Sequence, residues 1–206
     1  MKGLNSEAEA SIAQACAAQD FGRAATCALQ VYGPEILSFL VARLRTQSDG
    51  EEAFAMFAED LWKGLPAFAF RCSARGYLYT LARNAANRYS VSPHQRKDRH
   101  QNVSGNASLS VMIDRARSAT EAHRRTAVKD RIRALREQLP DDDQTLLILH
   151  VDRALPWREI AMVMAEEGEP LEGEALDRES ARLRKQFERV KRQLKELAIK
   201  EGLLKS

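Results

Sequence analysis

The chain is poor in the residues that would place it in several common protein classes. Among 206 residues there are only three cysteines, Cys16, Cys27 and Cys72. Their odd number and lack of paired spacing argue against a disulfide framework and against a zinc site, so they are expected to be small core residues. Aromatics make up 6% of the chain, with ten Gly and six Pro, while Ala, Leu, Arg and Glu recur throughout. That balance leans towards helices. No strand-like alternation and no internal repeat is present. The longest apolar runs, such as ILSFLVA and TLLIL, are far too short to span a bilayer, and residues 1–10 lack the basic-then-apolar pattern of a signal sequence. A cytoplasmic protein without membrane insertion is the expectation. An enzyme site is missing too. His94, His100, His123 and His150 are scattered without metal-ligand spacing, there is no Gly-rich phosphate loop, and paired acids such as Glu166 and Glu167 sit in a surface segment. Each histidine is expected to be solvated or locally hydrogen-bonded. No catalytic activity, metal or cofactor is predicted.

What is present is a soluble, globular composition, 44% hydrophobic and 30% charged. The net charge of +3 hides an alternation along the chain: −4 over residues 1–65, +10 over 66–133, −9 over 134–177 and +6 over 178–206. Two basic blocks separated by an acidic one suggest two polyanion-facing surfaces, against the plainer reading that the charges merely cover helix faces.

Apolar spacing predicts an all-α chain of two small helical domains, 1–90 and 123–206, joined by a flexible linker over 91–122. Small apolar residues in 7–30 read as two short helices interrupted near Asp20 to Gly22. A further helix follows over Tyr32 to Arg45, with Pro34 in its first turn. Ser48 to Gly50 breaks the pattern. Glu51 to Leu65 resumes it, with Phe54, Phe57, Ala58, Leu61 and Trp62 on one face. After the loop Pro66 to Arg75, a helix over Ser73 to Tyr89 carries GYLYTLARNAANRY; Leu78, Leu81, Ala82, Ala85 and Tyr89 form its apolar seam and Thr80, Arg83, Asn84 and Asn87 a contiguous polar face. The linker contains Pro93, Gly105 and the basic residues Arg96, Lys97 and Arg99, with a helix possible over 112–122.

In the second half, Val128, Ile132, Leu135 and Leu139 are spaced for a helix that stops at Pro140. Asp141 to Asp143 are positioned to cap the next, which holds Leu146, Leu147, Leu149 and Val151. Trp157 to Met164 forms a short helix, and a last one starts near Asp177 and runs to about Lys200. Along this last helix Leu183, Phe187, Val190 and Leu194 make a narrow apolar seam. Arg178, Arg182, Lys185, Arg189 and Arg192 share a stripe at roughly 180–260° from Leu183. Like charges at that spacing repel by a few tenths of a kcal/mol per pair, so a stripe of one sign favours a polyanion over a plain solvated face. A short helix ahead of such a stripe is the arrangement of a helix-turn-helix. Arg178, Arg182 and Lys185, with the adjacent Gln186, would lie nearest base edges, while Arg189 and Arg192 would favour phosphate. The connection Ala165 to Asp177 is long for such a motif.

Both halves resemble a known family. The stretch LREQLPDDDQTLLILHVDRALPWREIA followed by ESARLRKQFERVKRQLKEL resembles the fourth conserved region of the extracytoplasmic-function RNA polymerase sigma factors, and LWKGLPAFAFRCSARGYLYTLARNAANRY resembles their second. The resemblance spans most of 25–90 and 128–197, in the family's order. It implies a dissociable transcription initiation factor whose partners are core RNA polymerase (the largest-subunit coiled coil and the flap), promoter DNA and an anti-sigma factor. The first domain would contact core through Glu51, Glu52, Met56 and Phe57. Its contacts with the minus-ten element would run through Phe68, Phe70, Arg71, Thr80, Arg83, Asn84, Asn87 and Arg88. The second domain would bind the minus-thirty-five element. Three positions depart from the family pattern: Ala55 and Met56 stand where Gln and Glu are usual, and Tyr77 stands where a tryptophan is usual. A helix-turn-helix regulator that binds duplex DNA without polymerase is the alternative reading; a helical adaptor, which would leave the cation stripe idle, is a third.

Overall fold

A computed structural model describes residues 2–91, 127–165 and 171–204, with the side chains of 2–5, 127–130 and 132 outside that description. The linker, the helix expected over 112–122 and residues 166–170 of the acidic connection therefore lie outside the described residues. All regular structure among the described residues is helical, as the composition predicts. The chain divides into two compact units, Met1–His123 and Arg124–Ser206.

The first unit is built on α1 (Lys2–Ala17), α2 (Phe21–Leu44), α3 (Gln47–Gly64) and α4 (Ala74–Val91). Helix α2 packs against the other three. It runs unbroken through Pro34, which sequence reasoning placed at a helix start. An internal proline costs about 3 kcal/mol through its missing amide and ring clash. Tyr32, Ile36, Leu37, Phe39 and Leu40, all buried around it, each return roughly 1.5–3 kcal/mol, so burial outweighs the break. This helix is the one among the described residues that is long and apolar enough to cross a membrane, which short apolar runs did not reveal; half of its most apolar window is buried within the unit.

The α2–α3 turn falls at Arg45 and Thr46, not at Ser48 to Gly50. Arg45 takes a left-handed conformation (φ 70°) and donates its amide to the Val41 carbonyl, 2.8 Å. Thr46 caps α3: its hydroxyl accepts from the Asp49 amide (3.1 Å) and donates to the Asp49 carboxylate (2.7 Å). On α3, Phe54, Phe57, Ala58 and Leu61 are buried as expected. Trp62 is not: it is 59% exposed, its ring beside Gly22. The three cysteines are free and half-buried rather than core, and burial pushes the Cys16 and Cys27 thiols up, away from the reactive thiolate.

The second unit contains α5 (Ala127–Arg136), α6 (Asp141–Leu147), α7 (Trp157–Met164) and α8 (Gly173–Lys200), and α8 packs on the other three. Pro140, not an aspartate, occupies the cap position of α6; Asp141, Asp142 and Asp143 lie in its first turn, where their charge suits the helix dipole. The chain then widens into a π-turn over Ile148–Asp152, in which the Arg153 amide reaches back five residues to the Ile148 carbonyl (3.0 Å). Leu146, Leu147 and Leu149 are buried, but Val151 is 52% exposed. Helix α8 begins at Gly173, ahead of the expected start near Asp177, and this shortens the connection from α7 to residues 165–172. Its seam of Leu183, Phe187 and Val190 is buried, with Leu194 half-buried.

Candidate nucleic-acid interface

Three aromatic rings cluster at the foot of α4. Leu65–Ala67 form a short 3₁₀ turn after α3, and the chain loops through 68–73 before α4 begins. Within that loop the Phe68 ring lies parallel to Tyr77 of α4, with centroids 4.3 Å apart and planes 11° apart. Phe70 also lies against Phe68, with centroids 4.3 Å apart and planes tilted by 40°. Tyr77, projecting from α4, is the ring on which Phe68 stacks. A Cβ on Gly64 would overlap the Tyr77 hydroxyl, so glycine there is what lets the ring seat against α3. Burial raises the Tyr77 phenol pKa, and Asp60 adds to the shift, so the hydroxyl stays neutral. Phe70 is 41% exposed and adopts φ 52°, a left-handed conformation unfavourable for a bulky side chain. Arg71 beside it is exposed.

The polar face read on α4 is narrower than the helical wheel suggests. Tyr79 and Ala86 are fully buried as well as Leu78, Ala82 and Ala85, because α4 packs on both α2 and α3; the covered arc therefore extends to Arg83, only 9% exposed. Arg83 is a core-edge residue, not a surface one. Thr80 donates to the Gly76 carbonyl (3.2 Å), and Asn87 accepts from the Arg43 guanidinium of α2 (2.9 Å). Arg88 is exposed but ion-paired to Asp60. Asn84 is half-buried, and its side chain makes no hydrogen bond to any described residue. Tyr89 packs inward, as its place on the seam predicts, and its hydroxyl donates to Asp49 at 2.5 Å.

Of the residues assigned to a polymerase contact, Glu51, Glu52 and Met56 are half-exposed along α3, and Glu51 accepts from Gln47 at 2.5 Å. Phe57 is fully buried, its ring 5.4 Å from Phe54. It belongs to the core and presents nothing to a partner.

On α8 the exposed residues include Arg178, Arg182, Lys185, Arg189 and Arg192. Arg178, Lys185, Arg189 and Arg192 make no ion pair with described residues. Arg182 does: it holds Glu179 through two contacts of 2.6 and 2.8 Å, which keeps the Glu179 carboxyl below its ordinary range, and it donates to Gln186 at 3.2 Å. Gln186 is half-buried and in turn donates to Asp143 of α6 at 2.6 Å, so it ties α8 to α6 rather than standing free. Arg158 of α7 bonds Asp177 of α8 at 2.5 Å, bridging the two helices across their connection.

Two groups escaped sequence reading. His150 is neither solvated at Nδ1 nor hydrogen-bonded there; its ring sits 4.1 Å from Trp157 and 4.7 Å from Phe187, an aromatic cluster joining the π-turn, α7 and α8. Glu9 of α1 accepts from the first amides of α4, Ala74 (2.7 Å) and Arg75 (2.9 Å), and from the Tyr32 hydroxyl (3.2 Å). No local pattern links Glu9 to a helix that begins 65 residues later. No metal-ligating cluster of His, Cys, Asp or Glu occurs among the described residues.

No protein-family profile, curated protein sequence or solved structure matches the chain.

Proposed function

We propose that the chain is a cytoplasmic transcription initiation factor of the extracytoplasmic-function sigma type, directing core RNA polymerase to promoters and helping to open the minus-ten element. The observation that carries this reading is the Phe70–Phe68–Tyr77 cluster. The stacked Phe68–Tyr77 pair, with the tilted Phe70 ring exposed beside it, suits an unstacked base, which binds by its π-face. Asn84, on the next turns of the same helix, offers an uncommitted amide for base edges. The duplex-binding part of the reading rests on α7 and α8 acting as a helix-turn-helix: α8 enters the major groove with Arg178 and Lys185 nearest its leading end, and Arg189 and Arg192 meet phosphate. Glu51, Glu52 and Met56 serve the contact with core, and an anti-sigma factor would compete for these surfaces.

The test is run-off transcription with purified core polymerase and a genomic promoter pool, alongside pull-down of core. A promoter-dependent transcript supports the reading; no transcript and no pull-down sink it. Phe70→Ala should lower transcript yield roughly tenfold through loss of a stacked base, while leaving the thermal midpoint unchanged because the ring is exposed. The α8 cation face belongs to a unit with its own core, which favours a stand-alone regulator as the second reading. Tight, palindrome-specific duplex binding in the absence of polymerase would select it.

A further inference from the structure

We infer that Glu9 is a positioning residue for the aromatic loop: its carboxylate, presented by α1, fixes the first turn of α4 and so sets where Phe68 and Phe70 stand. The inference rests on the reading of that loop as a single-strand contact.

A helix start leaves its first amides without intrahelical acceptors. In α4 these amides are satisfied from two directions. Ser73, next to the helix, accepts from the Gly76 amide at 2.9 Å, the ordinary local cap. The Ala74 and Arg75 amides go instead to the two oxygens of Glu9. Ala74 is buried, so water is no ready substitute for that oxygen. A carboxylate at this place also complements the positive end of the helix dipole. Tyr32 of α2 donates its hydroxyl to the same carboxylate; burial, then Glu9 itself, raises the phenol's pKa, so the donor proton stays in place. Arg75, though an amide donor to Glu9, sends its guanidinium elsewhere, to Glu35 in a bidentate pair of 2.7 and 3.1 Å.

The first turn of α4 is thereby held to α1 and α2, while the upstream end of the loop is held where Tyr77 seats against Gly64. Only residues 68–73 run between these anchors. Phe70 keeps its left-handed backbone conformation there, and such a conformation persists only where its surroundings over-determine it. Releasing the Glu9 anchor frees the downstream end and lets Phe70 relax away from Phe68. Ser73 alone cannot prevent this, because it is itself a residue of the loop.

The experiment compares wild type, Glu9→Ala, Glu9→Gln and Phe70→Ala of the full chain bound to core polymerase. Amide hydrogen exchange is followed at residues 68–78, with the α2 amides of Phe39 and Leu40 as the folding control. Binding of fluorescent single-stranded oligonucleotides is measured in parallel. Glu9→Ala should speed exchange at Ala74 and Arg75 about tenfold, leave the α2 amides protected, and weaken single-strand binding about fivefold, the scale of a lost helix cap. Glu9→Gln keeps one carbonyl acceptor and should recover part of both effects, which guards against a variant that merely fails to fold. Unchanged exchange at Ala74 and Arg75 overturns the inference. So does faster exchange with full single-strand binding, provided Phe70→Ala binds weakly. If wild type binds no strand at all, the reading of the loop falls instead, and the exchange results alone decide whether Glu9 fixes its geometry.

Discussion

If the chain acts as proposed, replacing Lys185 and Arg189 together with glutamate is expected to reduce promoter-dependent transcription on the order of 100-fold without unfolding the chain. Both side chains are exposed on α8 and neither is paired with a described residue, so they are available to a polyanion. Each phosphate neutralised by a cation releases about one counterion, which gives a log–log salt slope of roughly −0.9 per contact. Losing two contacts should therefore flatten the salt dependence of duplex binding by about two units. Reversing the charges adds repulsion at the same phosphates. The fold should tolerate the change, because the buried seam of Leu183, Phe187 and Val190 lies on the other side of the helix. Helicity and thermal midpoint, measured beside transcript yield and duplex affinity across a salt series, check the result. Equal affinity and slope in wild type and variant would remove α8 as a nucleic-acid surface. Arg182→Glu makes a poorer probe, since Arg182 is already committed to Glu179 and Gln186 and its loss mixes charge with a broken network.

The second large effect is on stability. Alanine in place of glycine within a helix usually stabilises by roughly 0.5–1 kcal/mol. Gly50→Ala is expected to do the reverse. A Cβ at position 50 would lie 2.8 Å from Val41 Cα and 2.9 Å from Val41 N, so it would meet backbone, which cannot rotate away as a side-chain tip can. Helices α2 and α3 approach this closely only because nothing projects from residue 50. Separating them disturbs the contact that buries Phe54 and Phe57, at a cost of about 1–3 kcal/mol, which outweighs the helix-propensity gain. Urea unfolding of wild type and variant decides the matter, with a lower midpoint expected for Gly50→Ala. A raised midpoint would mean that the two helices do not cross at Gly50.

Much of the helical order was readable because buried residues recur at three and four. Trp157–Met164 and the Leu183 seam follow from that spacing alone. Each misplacement has a physical cause that spacing does not encode. Pro34 reads as a helix start, yet the apolar residues on both sides of it outweigh the break. Trp62 and Val151 look like core from their periodicity; Trp62 lies to the side of the arc buried through Ala53, Phe54, Phe57 and Leu61, and the π-turn rotates Val151 outward. Arg83 falls on the polar side of a wheel drawn for one packing partner, whereas α4 has two. Phe68 and Phe70 stood out as an aromatic loop, but their clustering with Tyr77 depends on the absent side chain of Gly64. Gln186 shares the cation-bearing side of α8, and only the packing of α6 shows that its amide is already taken by Asp143.

The Glu9 cap also bears on the order in which the first unit comes together. Contacts between α2 and α3 join neighbouring segments through a tight turn, whereas the bonds from Ala74 and Arg75 to Glu9 close loops of 65 and 66 residues. Loop closure of that length carries its entropic cost before any contact repays it. The α2–α3 hairpin is therefore expected to gain protection first in pulse-labelled refolding, and the Ala74 and Arg75 amides last, when α1 docks. By this ordering the aromatic loop reaches its final geometry only after the helices around it have assembled, so a chain still folding has no finished set of rings to present to any ligand.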